Sequence, residues 1–268
     1  MLSPSSINLY NQCPRKYYYS YIEKLPTKPN IYLVRGKIVH SILEEFFNLG
    51  TELFEEDMYE DKLLVWILHL FKKHWTNNLD KIKELTEKEE AEFYEHDTKV
   101  MLLNWTTSFS KKVASFMGKG DSFASSFKKL TPKTEAEYIS KEYEVKGFID
   151  AIEEIEGKTR IIDYKTSDKM EVGKDYKLQL AIYALLYKEN HNRLPDYVGI
   201  NFLRGEEFLF EVNEEMLDYA KNEIEKVRKL ISSDNIENYK RNVGFLCKWS
   251  GGQCDFFNIC KPFEKNKN

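Results

Sequence analysis

Apolar residues recur at helical spacing through the first half of the chain and alternate with polar ones through much of the second. Ser3 reads as a helix N-cap and Pro4 as the first helical position, with Ile7, Leu9 and Tyr10 starting an apolar face. Pro14 then breaks this helix or opens a second short one, and residues 26–30 form a loop. Residues 34–50 predict a helix carrying Ile38, Ile42, Leu43 and Phe46 on one face, stopped at Gly50. Residues 55–79 predict a second amphipathic helix, and residues 88–117 a long third one that includes Val100, Leu103, Phe109 and Val113. The stretch GKGDSFASSF at 118–127 reads as a flexible connection.

Near Leu130 the period changes. Residues 134–168 alternate and are rich in Ile, Tyr and Val, which predicts three strands, with one tight turn at Glu156-Gly157. Residues 175–191 are helical, 197–213 form a hairpin turning at Gly205, and 214–233 are helical again. A helical part over 35–130 therefore precedes a strand–strand–strand–helix–strand–strand–helix core over 131–235. The expected fold class is α/β (α+β), with a central mixed sheet flanked by helices.

Composition sets bounds. With 268 residues and 42% hydrophobic content, the chain can bury a core for one large domain. Its net charge of −4 gives no global attraction to nucleic acid, though a local basic groove stays open. No window has the roughly 18 apolar residues of a membrane span, and the first residues lack the signature of a secretory signal, so a soluble cytoplasmic protein is expected.

The chemistry gathers in the strand region. In RIIDYKTSD (160–168), Asp163 and Lys165 lie two apart and share a strand face. Alone, such a pair is more often a surface ion pair of little energetic weight. In the preceding strand Asp150 sits in the apolar run VKGFIDAIEE, where an unpaired carboxylate is costly. A hairpin turning near Gly157 places Asp150 and Asp163 about equally far from the turn, side by side. A hard divalent ion, Mg²⁺ or Mn²⁺, relieves the repulsion between two such carboxylates. Gln179 and Tyr183 share a helix face four residues apart, as do Gly36 and His40, and an imidazole in the cavity tilts preference toward Mn²⁺. Each of these elements has an ordinary structural reading; their order and spacing together point to a site.

That ordered set resembles the RecB-like branch of the PD-(D/E)XK nuclease superfamily, whose pattern runs G-x-x-x-H, G-x-x-D, (D/E)-x-K, Q-x-x-x-Y. The counterparts here are Gly36–His40, Gly147–Asp150, Asp163–Lys165 and Gln179–Tyr183, and the resemblance spans residue 1 to about 260. It implies a restriction-endonuclease-like core with a helical N-terminal insertion, in a single nuclease domain over 1–268. It also implies a metal-dependent DNA nuclease, an exonuclease of recombination, repair or replication. By that resemblance His40, Asp150, Asp163 and the Tyr164 carbonyl hold the metal, Lys165 is the catalytic lysine, and Gln179 and Tyr183 position it. Glu137 is an accessory carboxylate candidate. The alternative is an inactive or weakly active DNA-binding subunit of a larger helicase–nuclease complex.

Four cysteines, Cys13, Cys247, Cys254 and Cys260, remain. In an intracellular chain four thiolates suit zinc or an iron–sulfur cluster better than disulfides. Their arrangement, one before the core and three after it, resembles the AddB-like and CRISPR-associated exonuclease branch, which implies a [4Fe–4S] cluster stapling residues 1–25 to 240–262. The first gap departs from the C-x2-C of that branch, so Zn²⁺ stays open as the alternative. Arg15, Arg35 and Lys37 are candidate substrate contacts. With Tyr17, Tyr18, Tyr19 and Tyr21 interleaved among the early cations, they suit single-stranded DNA or free ends as well as they suit an ordinary aromatic core. No nucleotide-hydrolysing motif is present, so a helicase or recombination partner would supply any unwinding.

Overall fold

The computed structural model describes residues 1–51 and 56–263. Ten α-helices are present among them: α1 (Pro4–Gln12), α2 (Pro14–Tyr17), α3 (Ile31–Phe46), α4 (Tyr59–Asn77), α5 (Leu79–Leu85), α6 (Lys88–Met117), α7 (Phe123–Leu130), α8 (Lys174–His191), α9 (Glu214–Leu230) and α10 (Phe257–Cys260). Five strands, β1 (Lys133–Ser140), β2 (Val145–Ile155), β3 (Lys158–Lys165), β4 (Tyr197–Phe202) and β5 (Glu206–Glu211), form one sheet in chain order. Only β3 and β4 run parallel, joined by the crossover helix α8; the other neighbours are antiparallel. The mixed sheet is the one the alternation predicts. A two-stranded ribbon, β6 (Lys248–Trp249) with β7 (Gly252–Gln253), lies in the cysteine-bearing tail.

Helices cover both faces of the sheet. On one face α8, α9 and the N-terminal helices pack around Ile149, Ile161, Leu185, Val198 and Ile224. On the other, α3, α4, α6 and α7 pack around Phe46, Leu102, Phe109, Phe127 and Ile162. Gly147 has a packing role: a Cβ there would lie 3.0 Å from both Leu186 and Tyr183, so its absence lets α8 rest on β2. The β2–β3 turn uses positive φ at Glu156 (52°) and Gly157 (77°), as a tight hairpin requires.

Two expectations change. The stretch 118–127 is no flexible connection. From Phe123 it is α7, capped by Ser122, whose side chain accepts a hydrogen bond from the Ser125 amide. Phe123, Phe127 and Leu130 recur at i, i+4 and i+7 and are buried, but the glycines at 118 and 120 mask that period at sequence level. The helix expected over 34–50 begins earlier, at Ile31, because Asn30 caps it through the Leu33 amide, and it ends at Phe46. The expected start of the 55–79 helix at residue 55 lies outside the described residues; among those described, the α-helix runs from Tyr59 to Asn77.

Candidate active site

Strands β1 and β2 lose their regular geometry at one place. In β2, Ile149 packs on the α8 side, whereas Ala151, two residues on, packs on the opposite side and Ile152 returns to the α8 side. A regular strand puts i and i+2 on one face, so the face slips at Asp150. Its neighbour β1 is distorted at the same level. Thr134 pairs with Ala151 and Ala136 with Ile149, so Glu135 falls opposite Asp150, and Glu135 takes φ 45°. On the other side the β2–β3 ladder stops at the pair Ala151 and Ile162. The next β3 amide directed at β2, that of Tyr164, donates instead to the Asp150 carboxylate at 2.8 Å. The Lys165 carbonyl accepts from the Leu203 amide on the β4 side; by strand alternation the Tyr164 carbonyl points the other way, toward β2.

Into this opening α3 brings His40. Its Nδ1 lies 3.3 Å from Asp150 Oδ1 and 3.7 Å from Glu135 Oε1. Ligand atoms of His40, Glu135 and Asp150 all lie within 4.8 Å of one another, close enough to share one ion. Burial disfavours the imidazolium, but hydrogen bonds to Asp150 and Glu135 outweigh it and push the His40 pKa up to about 10. A proton thus sits where the two carboxylates call for positive charge.

Asp163 and Lys165 point to the α8 face. Asp163 is 2% exposed, its Oδ2 lies 2.6 Å from Lys165 Nζ, and its Oδ1 accepts from Gln179 Nε2 at 2.8 Å. Lys165 also donates to Gln179 Oε1 at 3.2 Å, and Gln179 Nε2 reaches the Tyr183 hydroxyl at 2.8 Å. Burial, with Asp150 nearby, holds the Asp163 carboxyl above the usual range despite Lys165. Burial opposes the charged form of Lys165, yet Asp163 outweighs it and raises the ammonium pKa. The structure therefore brings His40, Asp150, Asp163, Tyr164, Lys165, Gln179 and Tyr183 together.

Glu135 is the carboxylate that sequence reasoning missed. Glu137, the expected accessory acid, pairs with Phe148 in the ladder and bonds Lys146 at 3.1 Å, away from the site. Counting back from the turn after Ser140 sets Glu135 opposite Asp150, and that register was the available signal.

The basic candidates are sorted differently. Arg35 is 2% exposed; its guanidinium bonds Asp97 at 2.7 Å and the Thr166 carbonyl at 3.1 Å, so it clamps the fold and has no free face for a phosphate. Arg15 is buried too, donating from Nε to the Tyr239 carbonyl at 2.7 Å. Lys37 is exposed on α3. Tyr17, Tyr18 and Tyr19 are buried in a ring cluster with Tyr239 and Phe256, so packing, not base stacking, explains them; Tyr21 stacks on Tyr17 at 4.9 Å. Cys13, Cys247, Cys254 and Cys260 all line one cavity between the N-terminal helices and the tail. Burial raises the thiol pKa of Cys254 and of Cys260.

The sequence profile of the PD-(D/E)XK nuclease superfamily matches residues 1–261. The Gene 69 protein of Mycobacterium phage L5 is 23% identical over 233 residues, 76% of each chain. A protein from Eubacterium rectale, named as a proposed exonuclease, superposes with a TM-score of 0.52 at 13% identity, covering 100% of this chain and 91% of that one. At that identity the likeness speaks for the fold, which is restriction-endonuclease-like.

Proposed function

Because the chain belongs to the PD-(D/E)XK nuclease superfamily, we propose that it is a Mg²⁺- or Mn²⁺-dependent deoxyribonuclease, an exonuclease of the RecB-like branch. The observation that carries this reading is the pairing of two charge sets across β2 and β3. A carboxylate–imidazole cradle of His40, Glu135 and Asp150 lies beside Asp163, Lys165 and Gln179. The cradle suits a hard divalent ion, since its donors are oxygen and one nitrogen and it already draws a proton. His40, Asp150 and Glu135 would hold the ion, with Asp163 and the Tyr164 carbonyl facing it from β3. When bound, the ion polarises the phosphate and activates water.

The chain's own groups do the rest. Asp163 and Gln179 hold Lys165 protonated beside the cradle, so its ammonium offsets negative charge developing on the phosphate. Tyr183 fixes Gln179, which fixes both partners of the ion pair. The Eubacterium rectale neighbour's name supports exonuclease action. The enzyme would act in recombination, repair or replication, with a helicase partner where unwinding is needed, and as a single nuclease domain.

The four cysteines are proposed to hold a [4Fe–4S] cluster. They line one cavity, and among the described residues no three of their sulfurs come within 4.8 Å of one another. Zn²⁺ is the alternative occupant.

Asp163→Asn tests the active site. We expect loss of Mn²⁺-dependent cleavage of end-labelled single-stranded DNA with cooperative thermal unfolding kept. Undiminished cleavage by the variant contradicts the assignment.

A further inference from the structure

Helix α3 carries more than His40 toward the site. Tyr32, Gly36 and His40 are four residues apart in turn, so they lie along one face, with Tyr32 about 12 Å from His40 along the axis. Tyr32 is 57% exposed, unlike Tyr94 behind it at 7%. It is nevertheless held. The Tyr94 hydroxyl donates to the Tyr32 hydroxyl at 3.2 Å, the Tyr94 ring meets it edge-on at 5.8 Å, and the buried Arg35 guanidinium lies 5.8 Å from its centroid. An exposed aromatic ring fixed from behind presents one face with little ordering entropy left to lose on binding.

That face belongs to a groove that begins at Lys165. Tyr32, Lys165, Thr166, Lys169, Glu171 and Tyr176 line it, with a volume of about 670 Å³, the size range of small-ligand sites. Tyr176 forms a second aromatic wall, 5.2 Å from Lys165 Nζ. Asp168, Glu171 and Asp175 line the groove too, which makes it a poor place for a phosphate but leaves it open to a neutral aromatic group. Gly36, between Tyr32 and His40, points to the same use. A mid-helix glycine costs about 1 kcal/mol relative to alanine. Packing does not demand it, since a Cβ there would meet only Thr166 Oγ1, at 4.0 Å.

We propose that Tyr32 is a stacking platform for a nucleobase of a single-stranded segment, about two nucleotides from the phosphate held at the cradle. The proposal rests on the nuclease reading and names its substrate: strand ends or single strands, because a paired base cannot offer its face to the ring without leaving the duplex stack.

The experiment is fluorescence anisotropy with a labelled single-stranded DNA oligonucleotide in EDTA, so that binding is read without cleavage. Wild type, Tyr32→Ala, Tyr32→Phe and Tyr32→Trp are compared, and a series of oligonucleotides carries one abasic position each. We expect Tyr32→Ala to weaken binding roughly 5- to 150-fold, and the Phe and Trp variants to stay close to wild type. One abasic position should weaken wild type similarly and add nothing to Tyr32→Ala. Equal binding by Tyr32→Ala and wild type overturns the platform. So does a loss that is additive with every abasic position, which marks a merely structural role. Cleavage by wild type in Mn²⁺, scored in parallel, tests the nuclease reading separately: absent cleavage with intact stacking sinks that reading alone.

Discussion

His40 Nδ1 stands between Asp150 and Glu135, 3.3 and 3.7 Å away, and this contact decides how the site responds to protons and metal. The imidazolium pKa, pushed up to about 10 against burial by its two acidic partners, lies above the unfolded value of about 6.5. In the metal-free protein its stabilisation is therefore complete below about pH 6.5 and is lost as the pH rises through about 10. A metal ion must displace that proton. Mn²⁺ affinity should rise roughly ten-fold per pH unit between about pH 6 and 8, measured by calorimetry, and His40→Asn should flatten the slope. A pH-independent affinity for wild type contradicts the cradle. Glu135→Gln should weaken Mn²⁺ binding roughly ten-fold or more, while Glu137→Gln, next to Lys146, should leave it unchanged. Equal effects of the two substitutions would return the accessory role to Glu137.

At the scale of elements, α3 is both a wall of the site and a clamp. Arg35 ties it to α6 through Asp97 and to the end of β3 through the Thr166 carbonyl, and Arg204, after β4, bonds the same Asp97 and Asp168. Asp97 is 8% exposed and balances two guanidinium groups. Asp97→Ala should destabilise the protein by about 3–5 kcal/mol in a urea melt, because it strands buried positive charge; a change under 1 kcal/mol would show the network to be slack. Gly36→Ala should raise the melting temperature and lower cleavage together, and improved cleavage would leave Gly36 without its groove role. The sequence made much of this scale legible. Alternation and turn residues place β1 to β5, and the i, i+4 pairs Gly36/His40 and Gln179/Tyr183 reach the site as spacing implies. What stayed hidden was non-local or irregular. The face slip at Asp150 and Glu135 breaks the period-2 rule from which the sequence was read, and it is what brings Glu135 in. The burial of Arg15 and Arg35 depends on Tyr239 and Asp97, distant in sequence. Helix α7 hid behind two glycines.

Across the whole molecule, the two ends of the described chain meet. The Arg15 amide donates to the Lys240 carbonyl and Asn242 Nδ2 to the Gln12 carbonyl, beside the cavity that collects the four cysteines. A cluster there would join ends that hydrogen bonds already bring near, so its removal should cost stability more than chemistry. Anaerobically purified wild type should be brown, and Cys254→Ser should lose the colour and several degrees of melting temperature; colourless protein with stoichiometric zinc would decide for Zn²⁺. Among the described residues no helix is long and apolar enough to cross a membrane. The proposed nuclease depends on the cradle and Lys165 acting together on DNA. Its most direct test incubates linear and closed circular DNA with Mn²⁺, Mg²⁺ or EDTA, using wild type and Lys165→Ala side by side. Metal-dependent loss of linear DNA by wild type only is expected, with the circle spared. Cleavage that persists in Lys165→Ala or in EDTA, or no cleavage by folded wild type under any of these conditions, would contradict it.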